Sequence, residues 1–156
     1  MKIGLISDTH GLLRPEALAA LAGCARLIHA GDIGKPEILA ALAELAPLQA
    51  VRGNNDREAW AASLPHSLEL ELQGVRLFVV HDAAHLPADL AARGFRVAIC
   101  GHSHQPLIEE RDGLLRINPG SAGPRRFRLP IAVALLHIDQ GQARGELVEL
   151  CTAPAG

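Results

Sequence analysis

The first 52 residues alternate short apolar runs with Ala- and Leu-rich segments, and this alternation restricts the fold more than any other feature of the chain. Ile3–Ile6, Arg26–Ala30 and Leu48–Arg52 have the length and apolar content of buried strands. Between them, Pro15 to Ala22 and Pro36 to about Leu45 read as helices, each opened by a proline and continued by strong helix formers. Strand–helix–strand–helix–strand with short connections specifies parallel strands and right-handed crossovers. Each strand ends in polar residues: Ser7-Asp8-Thr9-His10, then Gly31-Asp32, then Gly53-Asn54-Asn55-Asp56. Ligands bind beyond the carboxyl ends of strands in such sheets. The topology therefore brings Asp8, His10, Asp32 and Asn54 to one crevice.

The register then changes. Ser67–Leu72 alternates polar and apolar residues, Gln73-Gly74 makes a tight turn, and Val75–Val80 returns to end in His81-Asp82. This hairpin marks a mixed sheet. A short helix is expected over Pro87–Ala92, then a strand over Arg96–Cys100 that delivers Gly101-His102-Ser103-His104. On extended backbone, rings at i and i+2 project to the same side. Leu107–Arg111 and Leu114–Ile117 read as another hairpin around Asp112-Gly113, Asn118–Pro124 as a turn-rich loop, and Ile131–Ile138 and Arg144–Leu150 as closing strands. Thr152–Gly156 reads as a frayed tail, and the 156 residues as a single domain without repeats.

Composition narrows the function classes. A formal charge of −2 offers no broad nucleic-acid-binding surface, and an aromatic content of 3% leaves few base-stacking platforms. Three well-separated cysteines, Cys24, Cys100 and Cys151, fit reduced thiols better than a disulfide framework. The N-terminal apolar stretch is too short for a secretory signal and is broken by Asp8 and His10, and no run reaches the ~18 apolar residues of a membrane span. The expected setting is the cytoplasm, away from membranes.

Asp8, His10, Asp32, Asn54, His81, His102 and His104 offer seven nitrogen and oxygen donors with no thiolate. That is too many for one tetrahedral ion, and it suits two divalent ions sharing a bridging carboxylate. The donor set admits Mn²⁺, Fe²⁺, Zn²⁺, Co²⁺ or Ni²⁺, and affinity order alone does not choose among them.

These residues carry a family resemblance. D-x-H at 8–10, G-D at 31–32, G-N-x-D at 53–56, the strand-terminal His81 and G-H-x-H at 101–104 resemble the signature of the calcineurin-like metallophosphoesterases. Asn118-Pro119-Gly120-Ser121 is similar to the small bacterial and archaeal phosphodiesterase branch, which also contains the retromer scaffold subunit of eukaryotes. The resemblance spans roughly residues 1–150. It implies an α/β fold, a four-layer α/β/β/α sandwich of two mixed sheets flanked by helices. It implies one ion on Asp8, His10, Asp32 and His104 and another on Asp32, Asn54, His81 and His102, with Mn²⁺ the first choice. The implied reaction is hydrolysis of a small phosphodiester by a hydroxide bridging the two ions. Two cations ~3.5–4 Å apart lower the pKa of a shared water towards 7 and offset charge in the transition state. No side-chain nucleophile is expected, since neither Ser103 nor Ser121 has an evident base.

Two positions depart from the family pattern. Asn55 stands where many relatives have a histidine that protonates the leaving group or contacts phosphate. An asparagine cannot donate a proton as an acid at neutral pH, so activated aryl diesters should be cleaved better than alkyl ones. His85 is a weaker candidate for that acid. Asp82 replaces the glycine common after the strand-terminal histidine. Asn55 and Arg125 are the candidate substrate contacts. His29 reads as a buried histidine supporting the site, Asp56 as a structural carboxylate, and His66 and His137 as surface. Alternatives to the diesterase are a phosphomonoesterase of small metabolites and a catalytically weak scaffold. Exposed strand edges or the Arg125–Arg128 loop leave a homo-oligomer open.

Overall fold

The apolar runs of the N-terminal third become β1 (Lys2–Ile6), β2 (Arg26–His29) and β3 (Leu48–Ala50), with α1 (Pro15–Leu21) and α2 (Pro36–Ala43) as crossovers in the computed structural model, which describes residues 1–150. Cys151 and the tail expected at Thr152–Gly156 lie outside the described residues. β1 pairs in parallel with β2, and β2 with β3. Both helices begin on their proline, where a missing N–H leaves no hydrogen bond unmade.

The polar–apolar alternation after residue 66 gives β4 (Ser67–Leu72) and β5 (Val75–Val80). Their turn places Gln73 and Gly74 at φ 50° and 81°, the mirror-image conformation whose twist suits an antiparallel pair. The remaining strands are β6 (Phe95–Ile99), β7 (Leu107–Arg111), β8 (Leu114–Asn118), β9 (Ala132–Asp139) and β10 (Gln142–Glu149). Among the described residues they form two five-stranded mixed sheets, ordered β10-β9-β1-β2-β3 and β4-β5-β6-β8-β7.

Alternate side chains sort into layers. Ile3, Leu5 and Ile28 of the first sheet meet Leu77, Val79, Val97, Ile99 and Ile117 of the second in the central core. Leu77 is fully buried there, and truncating such a side chain to alanine costs about 2–5 kcal/mol. The outer face of the first sheet, including Ile6, Leu27 and Val133, packs under Ala17, Leu21, Ile38 and Leu42 of the two helices. The outer face of the second sheet gathers Phe78, Phe95, Ala98 and Cys100 beneath Leu90.

The helix expected over Pro87–Ala92 does not form. A single 3₁₀ turn covers Ala83–His85, and turns occupy the segment up to β6. Gly94 takes φ 89°, and the Phe95 N–H closes back on the Leu90 carbonyl at 3.0 Å. Pro87 lacks a donor and that closure ends the chain's helical path, so too few residues remain between them to sustain a helical ladder. The sandwich is therefore flanked by helices on one side and by turns on the other.

Candidate metal centre

The loops after β1, β2, β3, β5 and β6 converge at one end of both sheets. They are zipped together by backbone bonds: Asp8 N–H donates to Gly31 O at 3.0 Å, His10 N–H to Asp32 O at 2.9 Å and Gly101 N–H to His81 O at 2.8 Å. Five of the seven sequence-identified ligands have left-handed backbone: Asp8 (φ 55°), His10 (46°), Asp32 (56°), His102 (73°) and His104 (62°). Each such non-glycine residue costs on the order of 1–3 kcal/mol and persists because its surroundings hold it. This geometry corrects the same-side argument for His102 and His104. They leave the sheet after Ile99 rather than continuing it, and His102 is exposed while His104 is buried.

Two groups of side chains result, Asp8–His10–His104 and Asp32–His81–His102, each with its donor atoms within 4.8 Å of one another. The rings pair accordingly, His10 with His104 at 5.3 Å between centroids and His81 with His102 at 5.2 Å. Asp32 Oδ2 lies between the groups, 3.6 Å from His10 Nε2 and 3.2 Å from His81 Nε2. His104 Nε2 is 3.3 Å from Asp8 Oδ1 and 3.3 Å from His10 Nε2. Asn54 Oδ1 sits 3.2 Å from His102 Nδ1, so its amide oxygen accompanies the second group.

These residues fit divalent metal. His81 Nδ1 lies 2.8 Å from the Ala30 carbonyl, which can only accept, so Nδ1 carries the proton. Its Nε2 then aims a lone pair at carboxylate oxygens of Asp32 and Asp8, the orientation a metal-ligating histidine takes from its other nitrogen. Asp8 Oδ1 and His81 Nε2 are buried with no hydrogen-bond partner. Crowded acceptors of this kind require a cation or a proton between them. Protons partly fill that role here. The nearby Asp8 carboxylate raises the pKa of His10, and for His81 burial by itself would lower it but the facing Asp32 and Asp8 carboxylates raise it on balance. Burial would raise the carboxyl pKa of Asp8, but His10, His104 and His81 hold it far below the ordinary range. Asp32 is lowered likewise, burial being outweighed chiefly by His81 and by the Asn55 N–H.

A supporting shell positions the donors. Ser7 Oγ donates to Asp8 Oδ2 at 2.6 Å, and the His102 N–H donates to the same oxygen at 3.0 Å, tying the two sheets together. Asp56, buried, accepts from the N–H groups of Ile33, Gly34 and Gly53, and so clamps the loop after β2 to the loop after β3. That is a structural role, and among the described residues Asp56 makes no ion pair with Arg52 or Arg57. His29, fully buried, accepts from Gly31 N–H through Nδ1, so its proton lies on Nε2 and is donated to Thr9 Oγ1, which donates on to Ile33 O. Burial pushes the His29 pKa down to about 4. Asn118 donates to Gly101 O and to Ser103 Oγ, and Ser121 Oγ donates to Asp8 O, so neither serine faces a base. Ser7 and Thr9 carry no signal in the sequence that separates them from ordinary loop residues, and Asn118 stands out there only through the Asn118–Ser121 motif.

The remaining sequence candidates fall differently. Asn55 turns towards Asp32, its N–H on Oδ1 at 2.9 Å and its Nδ2 on Oδ2 at 3.1 Å. Arg125 donates to Leu129 O in an exposed loop, and it is Arg126 whose charge opposes protonation of His10. Asp82 caps the 3₁₀ turn through Ala84 N–H and brings Oδ2 to 3.8 Å from His102 Nε2. His137 pairs with Glu146, and His66 accepts from Arg52. Cys24 and Cys100 are buried free thiols, and burial pushes Cys100 up to about 12. No helix among the described residues is long and apolar enough to cross a membrane.

The two-sheet sandwich, the histidines and carboxylates gathered at its strand ends and the family match together make this a metal-dependent phosphoesterase. The chain belongs to the calcineurin-like phosphoesterase superfamily, whose domain model matches residues 1–141. It is 35% identical over 160 residues to a probable metallophosphoesterase of Methanothermobacter thermautotrophicus, covering 95% of this chain and 92% of that one. It is 31% identical over 163 residues to the phosphodiesterase YfcE of Escherichia coli, covering 89% of each. The fold is shared with zinc-complexed Vps29 of Entamoeba histolytica, at a TM-score of 0.76, 20% identity and coverage of 96% of this chain and 100% of that chain.

Proposed function

We propose that this chain is a phosphodiesterase that works with two divalent ions, Mn²⁺ first among them. Asp8, His10, Asp32 and His104 hold one ion. Asp32, Asn54, His81 and His102 hold the other. The carrying observation is Asp32 Oδ2, placed 3.6 Å from His10 Nε2 and 3.2 Å from His81 Nε2, where one carboxylate serves both groups. When bound, the ions supply a water of lowered pKa and positive charge against the phosphoryl oxygens.

The chain's own residues do the rest. Ser7 and the His102 N–H hold the Asp8 carboxylate, and Asn55 holds Asp32, so neither acid rotates away from the crevice. The Ala30 carbonyl keeps His81 Nε2 directed inward. Asn55 spends its amide N–H on Asp32 and supplies no acid to a leaving group, so substrates with good leaving groups are favoured. We further read residues 1–156 as one cytoplasmic domain acting on small diesters.

The test is elemental analysis with a Mn²⁺-supplemented assay of bis-p-nitrophenyl phosphate against p-nitrophenyl phosphate. Two ions per chain with faster diester cleavage is the expected result. Faster monoester cleavage replaces this reading with a phosphomonoesterase, and no turnover with any metal replaces it with a scaffold.

A further inference from the structure

A cavity of about 330 Å³ opens beside the second ligand group and is not used by the metal chemistry. Asn54 and His81 form its inner wall. Phe78 and Val80, both buried on the outer face of β5, also line it. Arg52, His66 and His85 stand at its other walls. Its size is at the lower end of small-ligand pockets, and its lining residues are mostly polar, with Phe78 and Val80 as the apolar side chains.

Arg52 gives the pocket its charge. Its Nη2 donates to His66 Nε2 at 2.5 Å. Among the described residues no carboxylate lies within ion-pair distance of Arg52, and its other N–H groups meet no protein acceptor. Asp82 lines the same cavity, but its Oδ1 accepts from Ala84 N–H and its Oδ2 faces His102. Arg52 is half-buried as a residue, its guanidinium contact with His66 is exposed, and its remaining donors are left for a ligand in the cavity that it lines with Phe78 and Val80.

We propose that this pocket receives one ester arm of the substrate, an organic group whose ring or chain lies on Phe78 and Val80 and whose terminal oxyanion is bound by Arg52. The inference rests on the phosphodiesterase reading and adds the class of diester: one with a second anionic group beyond the scissile phosphate. A phosphate seated against Asn54 and His81 has this cavity directly beside it. A guanidinium binds carboxylate or phosphate through charge-assisted hydrogen bonds, which are roughly twice as strong as neutral ones.

The experiment compares p-nitrophenyl 3-carboxyphenyl phosphate with its 3-carbamoylphenyl counterpart. Both release p-nitrophenol and differ only in the charge on the other arm. The expected KM is about tenfold lower for the carboxylate ester. Arg52→Ala erases the difference, and Arg52→Lys retains part of it. Because the readout is a ratio between two substrates, it does not depend on the folded fraction of a variant. A 3-phosphonophenyl ester in the same series tells a phosphorylated arm from a carboxylated one by which has the lower KM. Equal KM values in the wild type, or a preference that survives Arg52→Ala, overturn the proposal while leaving the diesterase reading intact. If neither diester is cleaved, the diesterase reading fails and calorimetric binding of the same two esters judges the pocket. Tighter binding of the carboxylate that depends on Arg52 supports it, and equal binding overturns it.

Discussion

Asn55 holds Asp32 by both of its donors, the backbone N–H on Oδ1 and the side-chain amide on Oδ2, at 2.9 and 3.1 Å. The oxygen that lies between the two ligand groups is thus fixed by the residue that stands in place of the family's histidine. Asn55→Ala removes the side-chain bond and keeps the backbone one. Loss of such an outer contact typically costs about 10–100-fold in metal affinity. A competition titration with a fluorescent chelator should show this, with unfolding by heat little changed in the metal-free protein. Unaltered affinity would remove Asn55 from the metal centre.

Asp32→Ala should lose both ions together, because its carboxylate faces His10 and His81 alike. Elemental analysis after gel filtration checks this. Retention of two ions per chain would refute a bridging role, and retention of one would assign Asp32 to a single group.

His29 makes stability depend on pH with a definite sign. Its folded pKa, about 4, lies below the ordinary histidine value of 6.5. Between those values the unfolded chain takes up the proton and the folded chain does not. Stability therefore falls as pH drops through this window, by about 3 kcal/mol in the limit. His10 and His81 act in the opposite sense, being raised, so wild type alone gives a mixed curve. The stability gap between wild type and His29→Gln isolates the effect. It should be largest near neutrality and should narrow towards pH 4. A gap that stays constant across this range would show that the buried ring does not titrate as described.

Gly53 lies against the site with no room for a side chain. A Cβ there would fall 2.2 Å from both the backbone nitrogen and Oδ1 of Asp32. Gly53→Ala should destabilise the fold by about 1–3 kcal/mol, the usual cost of overpacking, and should displace the Asp32 carboxylate. Denaturant unfolding and metal titration check the two effects. A variant with unchanged stability and full metal content would mean that the loop yields without cost.

The strands and their order along the chain were legible because period and length are local properties. Ser67–Leu72 and Val75–Val80 appear as read, since strict alternation ended by Gln-Gly leaves one register that buries the apolar face. Pro87–Ala92 resembles a helix start in its proline and its Ala-Leu content, while the contact that decides its path is the closure at Gly94 and Phe95, beyond the segment itself. The inter-sheet core was legible only as apolar content. Nothing local pairs Leu5 with the sheet that carries Leu77 and Ile99.

The ligand types and their arrival at strand ends were written in the sequence by itself, because parallel βα units place such residues at one end of a sheet. The direction of each side chain was decided by the tertiary structure. Left-handed backbone at Asp8, His10, Asp32, His102 and His104 sends His102 towards His81 and His104 towards His10, where alternation on a strand would have sent both to one side. That backbone costs free energy locally and is held by bonds across the chain, such as His102 N–H to Asp8 and Asp56 to Ile33, Gly34 and Gly53. Partners 94 residues apart leave no trace in the local pattern, so composition and period reveal the donors while the contacts between sheets decide how they are shared.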